Sequence, residues 1–435
     1  MQYYSTNGKI NNKSLKEAVI EGLAEDNGLF MPNEIKPLPD SFFENIDQLS
    51  FQEIAFEVAK QFFGGDIPSD DLKEIVFDTL SFDCPVVEVE NNIWSLELFH
   101  GPTAAFKDVG GRFMARMLRY FLQNENRKVN VLAATSGDTG SAVANGFLGV
   151  DGIHVYVLYP KGKVSEIQEK QFTTLGQNIT AIEVDGTFDD CQKLVKQAFL
   201  DEELNSKLLL TSANSINVAR FLPQAFYYFH AYAQLKKQGK LNGELVVAVP
   251  SGNFGNLTAG LFAQKMGLPI SQFIAANNEN DVVYQYLQEG DYHPKQSVET
   301  IANAMDVGNP SNFARILDLY KEQWNVIRSN IAGARFSDAQ INSTINSVYA
   351  ETGYILDPHG ACGYQALKDQ LKNDQPGIFL ETAHPAKFIE TVEAVIGDGK
   401  VTIPDRLLQF MKGEKQSIEL ARSFDLFSQL LTNEH

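Results

Sequence analysis

Apolar residues in the first eighty positions recur at helical spacing. Ile54, Ala55, Val58, Phe62 and Phe63 fall on one face of a helix. Ser50 and Glu53 stand ahead of them at the spacing of a capping box, and Gly64-Gly65 closes the segment. Residues 1–80 therefore read as a mainly helical packing layer with no chemical motif. From residue 86 the period changes to two. Val87 and Val89, then Leu96 and Leu98, flank Asn91-Asn92 and predict a hairpin.

Beyond the hairpin, strand-like and helix-like segments alternate. VNVLAA (129–134), IHVYVLY (153–159), NITAIEV (178–184), ELVVAVP (244–250), FIAA (273–276) and GIFLE (377–381) read as strands. Residues 216–235 read as one helix, with Val218, Phe221, Leu222 and Ala225 on one side, and the tail 401–435 as two short helices around Gly413. Such alternation predicts an α/β fold whose parallel sheets are covered by helices. Ligands then bind beyond the carboxyl ends of the strands, where the connecting loops gather. Two glycine-rich loops, TSGDTG (135–140) and SGNFGN (251–256), occupy that position.

Composition narrows the classes. A chain of 435 residues exceeds a single core, so more than one domain is expected: 1–80, a catalytic region 81–400, and the tail 401–435. The formal net charge of −19 argues against nucleic acid or an anionic membrane as principal partner, since both repel an acidic surface. Cys84, Cys191 and Cys362 are scattered, odd in number and outside any CxxC pair, so neither a disulfide framework nor a metal site is expected. No apolar leader opens the chain and no stretch approaches a membrane span, which leads us to expect a cytoplasmic protein.

Three segments carry candidate chemistry. In GPTAAFKDVGGRF (101–113), Lys107 follows a loop of small residues; burial lowers a lysine's pKa and frees a neutral amine for imine formation. SGNFGN suits a phosphate, because glycines admit backbone N–H groups to an anion and the following helix adds its positive end. In TSGDTG, Ser136 and Thr139 offer hydroxyls for a carboxylate or a second phosphate. Two such loops imply a ligand, or ligand pair, with two anionic ends.

In this order the three segments resemble the fold-type II pyridoxal-phosphate (PLP) enzymes. The resemblance sharpens to the threonine synthase family, in its longer bacterial and fungal form. It is carried by residues 3–32 together with LFHGPTAAFKD (98–108), ATSGDTGSA (134–142), SANSINVARFLPQ (212–224), PSGNFGN (250–256) and ETAHPAKF (381–388). The resemblance implies two parallel-sheet α/β domains with the active site between them, beside the helical N-terminal extension. It also implies conversion of O-phospho-L-homoserine and water to L-threonine and phosphate, by γ-elimination and β-addition of water, as the last step of threonine biosynthesis.

By the same resemblance, Lys107 would hold PLP as a Schiff base and remove the Cα proton. Gly252, Asn253, Phe254 and Gly255 would line the cofactor phosphate, and Thr382 would face the pyridine nitrogen. Ser136, Thr139, Lys161, Asn214, Ser215 and Arg220 would hold the substrate's anionic groups, with Lys163 close enough to Lys161 to compete for its role. Asp138 stands where several relatives have an asparagine that donates to the cofactor; an ionised carboxylate cannot donate, so it is expected to turn aside and brace its loop. His100, His359 and His384 stand at loop edges, where a histidine is usually structural, although His384 adjoins Thr382 closely enough to orient it. Monomer and homodimer both stay open. So do two other functions: a threonine or serine dehydratase, which needs no second phosphate site, and a silent relative that binds phosphorylated ligands.

Overall fold

In the computed structural model, which describes residues 1–123, 128–241, 243–372 and 375–433, the long apolar runs form two sheets. The larger is ordered Ile331–Arg335, Ile270–Asn277, Leu245–Pro250, Gly377–Glu381, Ile93–Glu97, Val86–Glu90. It is parallel except for the last pair, the hairpin around Asn92. The smaller is parallel throughout: Ile418–Ala421, Ile179–Asp185, Ile153–Pro160, Val129–Ala134, Leu209–Ser212. Val129–Ala134, Leu245–Pro250 and Gly377–Glu381 are buried along their whole lengths. Strands covered by helices on both faces need such unbroken apolar runs.

The N-terminal layer packs on the elements that carry the chemistry. Ser50 and Glu53 form the expected reciprocal cap on the helix Phe51–Phe63, with Gly64 at its end. That helix sets Phe62 6.2 Å from Phe262 and Phe63 5.2 Å from Phe113, ring centroid to centroid. The layer also holds a small antiparallel sheet of Gln2–Ser5, Lys13–Ser14 and Phe30–Pro32, which periodicity did not predict. Two further expectations need correction. The helix over 216–235 is three pieces, Val218–Phe221, a 3-10 turn Leu222–Gln224 and Ala225–Lys237, because Pro223 lacks the N–H to continue the ladder. The tail holds a strand, Ile418–Ala421, between its helices Asp405–Met411 and Phe424–Asn433. All three cysteines are free and buried, and among the described residues no helix is long and apolar enough to cross a membrane.

Two helices fix the site's geometry by touching backbone to backbone. Lys107–Leu122 crosses Asp138–Phe147 where Gly111 meets Gly146, and a Cβ on Gly146 would lie 2.9 Å from both C and O of Gly111. Neither neighbour is a side chain that can rotate away. Gly146→Ala is therefore expected to lower unfolding free energy by about 1–3 kcal/mol. A fall in denaturant midpoint at unchanged slope would register it; an unchanged midpoint would mean that the helices are free to part.

Candidate active site

Lys107 is the first residue of its helix, and the loop before it is stapled to the segment after the strand Gly377–Glu381. Ala105 and Ala383 form an antiparallel bridge. Phe106 N donates to Thr382 O at 2.9 Å, and His384 N to Ala104 O at 3.1 Å. Ala104 adopts a left-handed φ of 56° to enter this bridge. Thr103 closes the loop on Asp108, its hydroxyl donating at 2.6 Å and its N–H at 2.9 Å. Lys107 and Thr382, far apart in sequence, thus share one rigid unit. Burial pushes the Lys107 amine down to about 8; Asp138 opposes this, while Lys387 and Arg220 add to it.

The loop 135–140 is organised around Thr135, whose hydroxyl accepts from Gly137 N at 2.9 Å and Gly140 N at 2.8 Å. Ser136 and Thr139 are half-buried in the same loop. Asp138 is 4 % exposed. Its Oδ1 accepts from Gln168 Nε2 at 2.7 Å and pairs with Lys387 Nζ at 2.6 Å. Burial works to raise its pKa, but Lys387, Lys107 and these bonds hold it at about 2. The carboxylate braces the loop, as its inability to donate predicts.

The loop 251–255 enters the helix Gly255–Lys265 through Phe254, whose φ of 62° is left-handed. A Cβ on Gly255 would lie 3.1 Å from Ser215 Cβ, and one on Gly252 only 2.6 Å from Met305 Cα. Gly252 is thus required by a neighbouring backbone, apart from any anion. Asn253 spends its side chain on protein, donating to Ser215 Oγ at 2.8 Å and accepting from Ser311 N at 2.6 Å. The loop therefore meets a ligand through its backbone and the first-turn amides of the helix. Ser215 Oγ also accepts from Asn312 Nδ2 at 3.0 Å, which leaves its own O–H to donate outward. Asn214 Oδ1 is buried without a partner, while Nδ2 reaches Ala134 O at 3.4 Å; holding an anion requires that amide to turn over.

Arg220 is 2 % exposed, and its Nε and Nη1 are buried without a partner. A Cβ on Gly111 would lie 2.8 Å from that Nη1, so the guanidinium rests on the helix that Lys107 opens. Burial pushes it down to about 10, against the pull of Asp108. Unpaired buried cations are costly, and this one implies an anionic ligand. Lys161, by contrast, is not brought to these groups. It is 48 % exposed and its ammonium lies 3.1 Å from Glu419 Oε1, because the tail strand Ile418–Ala421 extends the sheet edge beside it.

Three residues escaped the sequence reading: Lys387, Asn256 and Arg315. Lys387 looks there like any surface lysine. Asn256 holds Tyr227 and Tyr228 hydroxyls on Oδ1 at 2.6 and 2.7 Å, and its buried Nδ2 has no partner. Arg315, fully buried, donates to the carbonyls of Phe30, Ser215 and Ile216 and lies 3.9 Å over the Phe221 ring. His359 accepts from Ala304 N at 3.1 Å while bonded to Asp357, and so backs the turn that presses on Gly252. His384 accepts from Ala386 N and caps the turn Pro385–Phe388; burial and Arg406 push it down to about 4, so it is neutral near neutral pH.

A buried amine of lowered pKa, a glycine-lined helix start and unpaired donors fit a phosphorylated aldehyde cofactor with an anionic substrate. Residues 79–379 match the family of pyridoxal-phosphate dependent enzymes, 2–80 the threonine synthase N terminus and 360–430 the threonine synthase C-terminal region. A threonine synthase of Haemophilus influenzae is 46 % identical over 91 % of this chain and 92 % of its own. The chain belongs to the threonine synthase family. It is a PLP-dependent enzyme. The crystal structure of threonine synthase from Escherichia coli superposes with a TM-score of 0.93 at 43 % identity, covering all of both chains. A PLP-bound threonine synthase from Brucella melitensis gives 0.92 at 34 % identity, over 100 % of this chain and 99 % of that one.

Arg220→Met tests whether the unpaired guanidinium exists for a ligand. Relieved of an uncompensated buried charge, the ligand-free chain should gain about 1–3 kcal/mol in unfolding free energy. Inorganic phosphate should raise the Tm of the parent and much less that of the variant. A variant destabilised like an ordinary core truncation would make Arg220 a structural residue.

Proposed function

We propose that the site converts O-phospho-L-homoserine and water to L-threonine and phosphate. The observation that carries this reading is the unpaired Arg220 guanidinium against the helix of Lys107, a second anion-seeking group distinct from the glycine-lined start of Gly255–Lys265. The backbone of Gly252, Asn253, Phe254 and Gly255 would hold the cofactor phosphate, Thr382 would offer its hydroxyl to the ring nitrogen, and Lys107 would make the covalent attachment. A hydroxyl at the ring nitrogen does not force its protonation, which sets how strongly the ring draws electrons.

Substrate recognition falls to the other loops. Ser136 and Thr139 offer hydroxyls to its carboxylate. The Ser215 hydroxyl, Asn214 after its amide turns, and Arg220 take its phosphate, Arg220 with a planar fork that matches two oxygens at once. When bound, PLP supplies an electron sink for the charge left at Cα. The freed Lys107 amine takes the Cα proton, and a pKa lowered to about 8 leaves far more of it unprotonated near neutral pH than an ordinary lysine has. From the same place Lys107 reaches Cβ and Cγ: it would take a Cβ proton as phosphate leaves Cγ, return one to Cγ, take one from the water that adds at Cβ and return one to Cα, the remaining proton leaving on the released phosphate. Arg220 stabilises the departing phosphate by charge-assisted donation.

Phosphate release from O-phosphohomoserine, with threonine identified as co-product, tests the reading; release of a keto acid instead would assign the site to a dehydratase. Lys107→Ala is expected to abolish turnover and the borohydride-trappable attachment of PLP. Arg220→Lys should keep PLP content while losing about tenfold to a hundredfold in kcat/KM, since a point charge cannot reproduce bidentate contact. Loss of PLP from the Arg220 variant would move that residue to the cofactor.

A further inference from the structure

A second lysine is buried beside Lys107, and the reaction outlined above gives it no task. Lys387 is 1 % exposed. It projects from the turn Pro385–Phe388, four residues beyond Ala383 of the bridge to Ala105 and five beyond Thr382, whose carbonyl accepts from Phe106 N. Its Nζ donates to Thr103 O at 2.9 Å and pairs with Asp138 Oδ1 at 2.6 Å. Asp138 stands at the start of the helix Asp138–Phe147 and takes its other bond from Gln168. Thr103 in turn holds Asp108, the residue after Lys107. The ion pair is therefore built into both loops that flank the Lys107 amine.

A buried carboxylate near an amine favours the ammonium form, and little water is present to screen it. Left alone, Asp138 would oppose the reactivity that an imine-forming lysine needs. We propose that Lys387 is a positioning residue: as the counter-ion of Asp138, it cancels the field that would otherwise keep the Lys107 amine protonated. This rests on Lys107 being the amine that binds the cofactor. The charged groups acting on that amine are Asp138, Lys387 and Arg220 from the helix Val218–Phe221, while Asp108 on its own helix is tied to Thr103. With all of them in place the amine sits at about 8, below the ordinary lysine value.

The two members of the pair should shift Lys107 in opposite directions, which a purely structural role would not do. The full-length chain, stripped of cofactor, is mixed with pyridoxal phosphate, and imine absorbance is followed between about pH 6 and pH 10, so that the midpoint of the rate reports the Lys107 amine. Lys387→Met removes a like charge and bares Asp138, so the midpoint should rise by about one unit or more. Asp138→Asn leaves Lys387 uncancelled, so it should fall by a similar amount. The double variant Asp138→Asn/Lys387→Met, which buries no unpaired charge, should return close to the parent, and Lys387→Arg should hold the parent midpoint. Single variants that leave the midpoint unchanged, or move it the same way, overturn the proposal. Lys107→Ala separates the two readings: if it still forms the trapped imine, the assignment of Lys107 fails, whereas an imine confined to Lys107 with unmoved midpoints sinks only the role of Lys387.

Discussion

The antiparallel bridge of Ala105 with Ala383 joins two stretches that the chain order keeps apart. Around it, Phe106 donates to Thr382 and His384 to Ala104, so that the loop bearing Lys107 cannot shift without dragging the end of a central strand of the larger sheet. Arg406 reinforces the loop from the tail, donating to the carbonyls of Phe99 and His100 at 2.6 and 3.3 Å. The same helix start is pressed against the smaller sheet's helix through Gly111 and Gly146. A covalently held ligand must meet anion-binding loops from both sheets at fixed separation, and chemistry degrades steeply when reacting atoms are displaced. The bridge and the glycine crossing together set that separation.

Buried charge is the second constraint. Arg220 and Arg315 share one neighbourhood, Arg315 stacking on Phe221, the residue after Arg220. Arg315 is satisfied by backbone carbonyls and an aromatic face, so it joins the N-terminal layer at Phe30 to the loop at Ser215 and Ile216. Arg220 keeps Nε and Nη1 unpaired. Of two guanidiniums in similar burial, one is consumed by the fold and the other keeps two donors open, the ones proposed above for a ligand. The difference lies in what carbonyls reach them, and folding stability is reduced where function requires an open donor.

Legibility followed the same division. Strands buried on both faces carry continuous apolar runs, and 129–134 and 377–381 were read to the residue. Gln2–Ser5, Lys13–Ser14, Phe30–Pro32 and Ile418–Ala421 have two to four residues each, too few for any period to appear. Lys107, Arg220 and the two glycine-rich loops could be proposed from sequence because local chemistry and family resemblance coincide there. Lys387 was not, because its meaning depends on Asp138, brought to it only by the tertiary fold. Lys161 shows the converse: it follows a strand that ends at the site's side of the sheet, and nothing local reveals that the fold pairs it with Glu419.

One further set of contacts runs between the two ends of the bed that PLP needs. Glu381, directly before Thr382, is fully buried; burial and the nearby Asp357 drive it to keep its proton. Its Oε1 accepts from Asp357 N at 2.5 Å, and Asp357 caps the helix Pro358–Gln370. Asp357 Oδ1 also bonds His359 Nδ1, which fixes the ring so that Nε2 accepts from Ala304 N. Ala304 and Met305 press on Gly252, in the loop proposed to hold the phosphate. The residue proposed for the ring nitrogen and the loop proposed for the phosphate are thus tied through a protonated acid, a cap and a histidine. None of these touches a ligand directly in this scheme; they make the distance between the two ends a property of the folded core, so that the cofactor meets a bed whose length is set before it arrives.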